Sequence, residues 1–486
     1  MKIKFSIKLV LAVTIMTVVS SCKKFLDVNE NPNFPAKVNV NEVFPSAEAA
    51  IAHVVGNDFQ IYGGIWAQHW TQNPSSSQYK TIEQYSPSSD DFDTPWRILY
   101  AEGLQDLNFV IAKGTAQGKT QYVACAKILE AYTYQILTDN FGDIPFSDAL
   151  KGESAVLTPK YDSQKAVYAG IQKLLDEAIA AIDLNATNGP QSDDILLKGN
   201  MQTWQKFAYT LKLRAYLRLS EVDPVTAQAG IQAMEADAVF LAEGDEVKVN
   251  YTSSGGNTNP LYSSIVALSN VQNLVGSSTT IDSLLSWGDD RLPVFYNPLA
   301  NGTFAGIKQG NYNSGIALTS ISLPSALTGA YVNAASATAP VKLMTGYESL
   351  FLQSEAVARG WLTGDAQSLY EEAIIESYTS YGLDGATLAP VYFAGPAVAY
   401  PAAGTLQDQI KAIITQKWVS LCGNSGTEAW SEWRRTGYPA LSPSLASTIG
   451  GTRMPARMLY PSSELNRNPN NPGQKFVYDK VWWDVN

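Results

Sequence analysis

The chain has 486 residues, is 45% hydrophobic, and holds 34 basic and 45 acidic residues for a net charge of −11. That acidity argues against nucleic acid and against electrostatic adhesion to anionic lipid, and the hydrophobic content excludes a disordered chain. Three cysteines and two histidines, His53 and His69, show no HExxH or paired CxxC spacing, which excludes a disulfide framework and a zinc site.

Lys2, Lys4 and Lys8 form a basic start, Leu9 to Val19 an apolar core broken only by threonines, and Ser20 and Ser21 precede Cys22. This is a secretory signal over residues 1–21. Its core is too short for a membrane span, which needs roughly 20 apolar residues. Val19-Ser20-Ser21-Cys22 resembles a bacterial lipobox. The resemblance implies cleavage before Cys22 and a diacylglycerol on its sulfur, each buried methylene adding about 0.8 kcal/mol of anchoring. Without residues 1–21 the chain carries 31 basic against 45 acidic residues, −14, so the lipid itself has to be the anchor. Residues 22–45 are polar, hold Pro32, Pro35 and Pro45, and read as a lipidated tether to a single domain at 46–486.

Helical periodicity then dominates. Residues 95–112 place Ile98, Leu99, Leu107 and Val110 or Ile111 near one face, and 121–138 place Cys125, Leu129, Tyr132 and Ile136 at 4-3-4 spacing. Residues 163–183 repeat the stripe, with Ser163 as N-cap, and 201–220, 346–362, 366–380 and 406–422 add further helices. Cys125 and Cys422 fall in apolar helical contexts and are expected as buried free thiols. Gly142, just past a helix and followed by Asp143 and Pro145, is a C-cap signal. The fold class read here is mainly α, a scaffold of tetratricopeptide-like helical hairpins over about 95–240 and 341–380, although no strict 34-residue period is present. Residues 241–340 and 381–408 are rich in Gly, Ser, Thr, Asn and Tyr and form long irregular excursions, the expected ligand side. The tail KFVYDKVWWDVN reads as a strand.

Two stretches pair flat rings with hydrogen-bonding groups, the combination that suits sugars, which offer C–H faces and hydroxyls. The first presents Trp66, Gln68, Trp70, Asn73 and Tyr79, and the second, in the variable middle, presents Trp287, Arg291 and Tyr296. Trp66 and Trp70 at i, i+4 are equally the mark of a buried helix face. Arg434 and Arg435 follow Trp430 and Trp433, and Glu428 and Glu432 are available to pair with them, a structural ion-pair and stacking cluster. A glycoside hydrolase needs two carboxylates about 5 to 9.5 Å apart. Asp289, Asp290, Glu428 and Glu432 are available, but nothing in the sequence pairs them.

Six blocks in order resemble one family. They are Cys22-Lys-Lys-Phe-Leu-Asp27, Asn140-Phe-Gly-Asp-Ile-Pro-Phe146, Trp204 through Arg214 with Arg218, Phe351-Leu-Gln-Ser-Glu-Ala356, Glu428 through Pro439, and Pro455 through Pro461 with Glu464 and Asn466. The chain thereby resembles the SusD/RagB-like nutrient-binding outer-membrane lipoproteins of Bacteroidetes-type bacteria. The resemblance implies an α-rich fold with four tetratricopeptide-like hairpins. It further implies a SusC-like TonB-dependent transporter as partner, capture of an oligosaccharide or peptide at the cell surface, lipid anchoring in the outer membrane, and no cofactor or catalytic role.

Overall fold

The computed structural model describes residues 38–486. Cys22, the signal segment and most of the tether lie outside the described residues. Asn39 opens helix α1 (Val40–Gly56) with a capping box, the Glu42 carboxylate accepting from the Asn39 N–H at 2.9 Å. The folded body therefore begins inside the stretch read as tether, and Pro45 is carried within α1.

Helix α2 (Asp58–Trp66) follows, and strand β1 (Trp70–Gln72) after it. A short helix at Asp93–Arg97 runs through a π-helical stretch, Ile98–Leu104, into α3 (Gln105–Ala116). Then come α4 (Thr120–Phe141), α5 (Gln164–Ala181), α6 (Met201–Arg218) and α7 (Pro224–Met234). The stripe on α4 is buried at Cys125, Leu129 and Tyr132. The Ser163 hydroxyl caps α5, accepting from the Ala166 N–H at 3.3 Å. Gly142 ends α4 at φ 84°. The turn after it is a structural joint: Asp143 Oδ1 accepts from the Gln164 N–H at 2.8 Å, and the Pro145 carbonyl accepts from the Tyr100 hydroxyl at 2.7 Å. Neighbouring helices pack as hairpins, α3 on α4 and α5 on both α4 and α6, so the mainly helical, tetratricopeptide-like class holds.

The middle excursion is tied back by two short antiparallel ribbons. Strand β2 (Glu246–Val249) pairs with β4 (Val341–Thr345) around a bulge at Val247/Lys248, and β1 pairs with β3 (Leu274–Gly276), Trp70 opposite Gly276. Between them lies α8 (Ser278–Trp287). A second run of helices follows, α9 (Gly346–Ala358), α10 (Ala366–Ser380), α11 (Gly385–Phe393), α12 (Leu406–Ser420) and α13 (Gly426–Thr436).

Helices α2 and α13 cross with their backbones nearly touching. A Cβ on Gly63 would sit 2.1 Å from Thr427 N, and one on Gly426 would sit 2.5 Å from Gly64 N. The crossing admits only glycine and brings the N-terminal helices against the late Trp- and Arg-rich segment. One buried cluster runs from Val40 to Trp483, and a smaller one joins α9, α10, α11 and α12. The tail is not a strand. It packs Val477, Val481 and Trp483 into the core through turns, with Val477 O accepting from the Ala456 and Arg457 N–H groups. Among the described residues no helix is long and apolar enough to cross a membrane.

Candidate functional site

The first aromatic stretch is interior. Trp66 and Trp70 have no exposed surface. Trp66 packs on Trp430 with ring centroids 4.6 Å apart, and its indole donates to the Ile82 carbonyl at 3.2 Å. Gln68 Nε2 donates to the Ser442 carbonyl and its Oε1 accepts from Thr279 at 2.7 Å. Asn73 donates to the Gln272 carbonyl at 2.5 Å, and Tyr79 is buried. Gln68, Trp70 and Asn73 tie this segment to the middle excursion, Trp66 packs on the late helix α13, and all five residues are buried. The neighbouring His69 is fully buried, which pushes its imidazole down to about 3, neutral at ordinary pH, with the Trp418 carbonyl 3.0 Å away.

Two residues of the second stretch are also interior. Arg291 has no exposed surface, and its guanidinium is saturated. Nε and Nη2 donate to Asp289 at 2.9 and 2.6 Å, Nη1 to Ser377 and Ser420 at 2.9 Å, and Nη2 to Gln416 at 3.1 Å. Tyr296 donates to the His69 carbonyl at 2.6 Å. Of the eight ring and polar candidates, only Trp287 stays half-buried.

The cause is local. Trp287 is the last residue of α8, and Gly288 ends that helix in the left-handed conformation at φ 65°. The Asp289–Arg291 pair then pins the departing chain. Trp287 is left bridging the two buried clusters with one side open. That side lines a surface groove of about 380 Å³, within the range of small-ligand sites. Its floor is apolar, built from Ala397, Val398, Ala399, Pro401 and Ala412, with Tyr370 beneath. The Tyr370 hydroxyl donates to the Val398 carbonyl at 2.5 Å, which fixes that loop. Asp408, Lys411, Thr415 and Gln416 supply the polar edge. Asp408 is held by the capping box that starts α12, Thr405 Oγ1 donating to it at 2.7 Å, and Gln416 is oriented from below by Arg291 and Tyr392, both at 3.1 Å. The groove is thus a flat ring, an apolar floor and a polar rim in which Asp408 and Gln416 are held in place. The sequence pointed to Trp287; Tyr370, Lys411 and Gln416 were missed, because nothing in chain order links α10 and α12 to the end of α8.

The late motif is a buried charge network. Arg218 forks to Glu432 and Glu428, both at 2.5 Å, Lys417 reaches Glu428 at 3.0 Å, and Arg435 takes both oxygens of Glu355 at 2.6 Å. Arg435 also pairs with Glu432. Burial alone would raise the Glu432 carboxyl, but Arg435, Lys417 and Arg218 override it and hold it well below the usual carboxylate range. Arg434 lies 3.6 Å from the Trp430 ring centroid. The network bolts α6, α9, α12 and α13 together. Asp289, Glu428 and Glu432 are therefore each committed to a buried cation, and of the four candidate carboxylates only Asp290 is exposed. Cys125 and Cys422 are buried free thiols. Among the described residues no group of three His, Cys, Asp or Glu side chains is placed to hold a metal ion.

Residues 32–461 match the family model SusD-like_2, described as starch-binding and associating with the outer membrane. No curated protein matches. Among solved structures, a chitin-binding protein is 26% identical at a TM-score of 0.77, over 92% of this chain and 100% of that one. A chitin-binding SusD homologue from Flavobacterium johnsoniae is 25% identical at 0.77, over 91% and 99%. A SusD homologue from Bacteroides fragilis, 23% identical at 0.76 over 92% and 99%, bears on the fold. The helical hairpins, the Gly-Asp turn and the buried Glu-Arg motif fall inside that match, and the chain belongs to the SusD-like family.

Proposed function

We propose that this chain is a lipoprotein of the outer-membrane surface that captures a glycan and hands it to a SusC-like TonB-dependent transporter. The observation that carries the reading is the Trp287 groove, in a chain whose family model is described as starch-binding. The indole takes the C–H face of a sugar ring, a contact worth roughly 0.5–1.5 kcal/mol. Thr415, Gln416, Asp408 and Lys411 take hydroxyl and amide groups at the rim. Two solved relatives are named as chitin-binding, so oligomers of N-acetylglucosamine come first as ligands: their acetyl methyl suits the Ala397, Ala399 and Ala412 floor. Binding is passive and non-enzymatic. The lipid on Cys22 holds the protein at the membrane, facing outward, residues 46–486 act as one domain, and the helical hairpins dock on the barrel.

Calorimetric titration of the mature chain, beginning at Cys22 and held in detergent micelles, tests this reading. Chito-, malto- and cello-oligosaccharides and peptide mixtures are the ligands. Saturable heat with one glycan class, weakened about 3- to 10-fold by Trp287→Ala without loss of fold, is expected. Saturable heat with peptides alone, or glycan binding indifferent to Trp287→Ala, overturns the ligand class or the site respectively. Co-purification of the chain with an outer-membrane barrel tests the partner.

A further inference from the structure

The Trp287 groove holds one group whose hydrogen-bonding role is dictated by its neighbours. Gln416 lines the groove from α12 and is only 2% exposed. Its Oε1 accepts from Arg291 Nη2 and from the Tyr392 hydroxyl, both at 3.1 Å. A guanidinium has no lone pair to offer, so the amide cannot turn over: its nitrogen would then face Arg291, donor against donor. Arg291 is itself held by Asp289, Ser377 and Ser420. Both acceptor positions of Oε1 are thus occupied inside the protein, while Nε2 has no acceptor among the described residues. Nor is that nitrogen sealed in, as the unpartnered Nε2 atoms of Gln60 and Gln135 are. The small surface Gln416 keeps therefore includes its N–H₂ group, and it opens on the groove.

The rest of the rim does not repeat this arrangement. Asp408 stands about two turns earlier on α12, roughly 12 Å along the axis, with one oxygen taken by the Thr405 N–H at 2.9 Å and hydroxyl at 2.7 Å. Lys411 is exposed. The Thr415 hydroxyl both donates and accepts, so it selects nothing. Ala412, one turn before Gln416, is its neighbour on the helix surface, the two Cβ atoms about 5–6 Å apart. A donor with no free acceptor thus stands beside the methyl-lined floor.

That pairing ranks the groups a sugar can bring. A hydroxyl offers a lone pair but leaves its own proton needing a second acceptor. A protonated free amine only donates, so it opposes Gln416 and Lys411 alike. A carboxylate accepts but sets a charge against the alanines, which costs desolvation. An acyl amide meets both sides, since its carbonyl oxygen only accepts and its methyl covers the floor. We propose that Gln416 determines specificity in this groove by donating to the acyl carbonyl of an N-acetylated sugar, so that the chain reads the acetylation state of an amino-sugar oligomer. The inference rests on the reading that the Trp287 groove binds glycans.

The test titrates the mature chain in micelles with tetra-N-acetylchitotetraose, with the same tetramer stripped of its acetyl groups, and with cellotetraose, which carries a hydroxyl at that carbon. The acetylated ligand is expected to bind about tenfold more tightly than either of the others. Gln416→Glu keeps an oxygen for Arg291 and Tyr392 and replaces the N–H₂ donor with an acceptor, so it should erase the preference. Unchanged melting and retained cellotetraose binding certify that variant; if it does not fold, the parent's own ranking of the three ligands decides. Trp287→Ala should weaken every ligand and leave the ranking intact. Equal affinity for the acetylated tetramer and cellotetraose, tighter binding of the stripped tetramer, or a preference that survives Gln416→Glu overturns the proposal and leaves the glycan reading standing. No binding of any of the three also overturns it, and titration with malto-oligosaccharides then shows whether the glycan reading survives.

Discussion

Trp66 and Trp287 stand in similar sequence company, each beside glycine and hydrogen-bonding side chains, yet the fold treats them oppositely. Trp66 ends α2, which crosses α13 at glycine contact, so its ring is pressed onto Trp430 with no exposed surface. Trp287 ends α8 at a left-handed glycine, and its ring, packed on one side, stays half open over an apolar floor. The lesson is that an aromatic beside glycine is ambiguous until the partner of that glycine is known. Glycine permits a tight turn, which leaves a ring free, and equally permits backbone contact, which buries it.

The sharpest way to break the comparison is at the network that holds the buried half together. Arg435→Gln takes the bidentate cation from buried Glu355 and one of the cations around Glu432, leaving Arg359 and Arg218 to hold them, and should cost about 3–5 kcal/mol in chemical denaturation with little change in glycan affinity of the remaining folded protein. Trp66→Ala should cost a similar 3–5 kcal/mol through the cavity it leaves. Trp287→Ala should cost less than about 1 kcal/mol of stability and lower affinity instead. If Trp66→Ala spares stability, or Trp287→Ala spares affinity, the contrast between the two rings fails.

A smaller effect sits on the buried side of β1. Glu83 accepts from Thr71, from the Gln72 N–H at 3.0 Å and from the Gly310 N–H at 2.9 Å, so it clamps the middle excursion to β1. Burial pushes its carboxyl up to about 7 against those hydrogen bonds. The folded state thus holds a proton more tightly than the unfolded chain. Its contribution is complete below the unfolded value near 4.5 and falls as pH rises through 7, by up to about 3 kcal/mol. Glu83→Gln should therefore gain stability relative to the parent between pH 5 and pH 8, measured by denaturant unfolding at each pH. A constant difference across that range removes Glu83 from the account. The smallest expected change is at the groove rim: Lys411→Ala should lower glycan affinity only about 2-fold, because an exposed charge contributes little.

Much of the scaffold was legible without the fold. The predicted helix over 366–380 coincides with α10, and the stripes over 121–138, 163–183 and 201–220 lie within two or three residues of α4, α5 and α6. Caps such as Ser163 and Gly142 are local chemistry. Helices α1 and α2 were not legible, since α2 is buried nearly all round and shows no alternation of polar and apolar faces. The carboxyl-terminal tail misled for the opposite reason. Its apolar alternation is real, but Val477, Val481 and Trp483 fill gaps in a helical core and find no strand to pair with.

What the sequence by itself determined is the family, the helical periods, the caps and the Glu432–Arg435 pair one helical turn apart, because those depend on spacing along one chain; the other partner of Arg435, Glu355, came only with the fold. Only the tertiary structure decided which rings face outward. The groove draws Trp287 from the end of one helix, Tyr370 from another and Gln416 from a third. Exposure is a property of what packs opposite a side chain, and that neighbour is a hundred residues away.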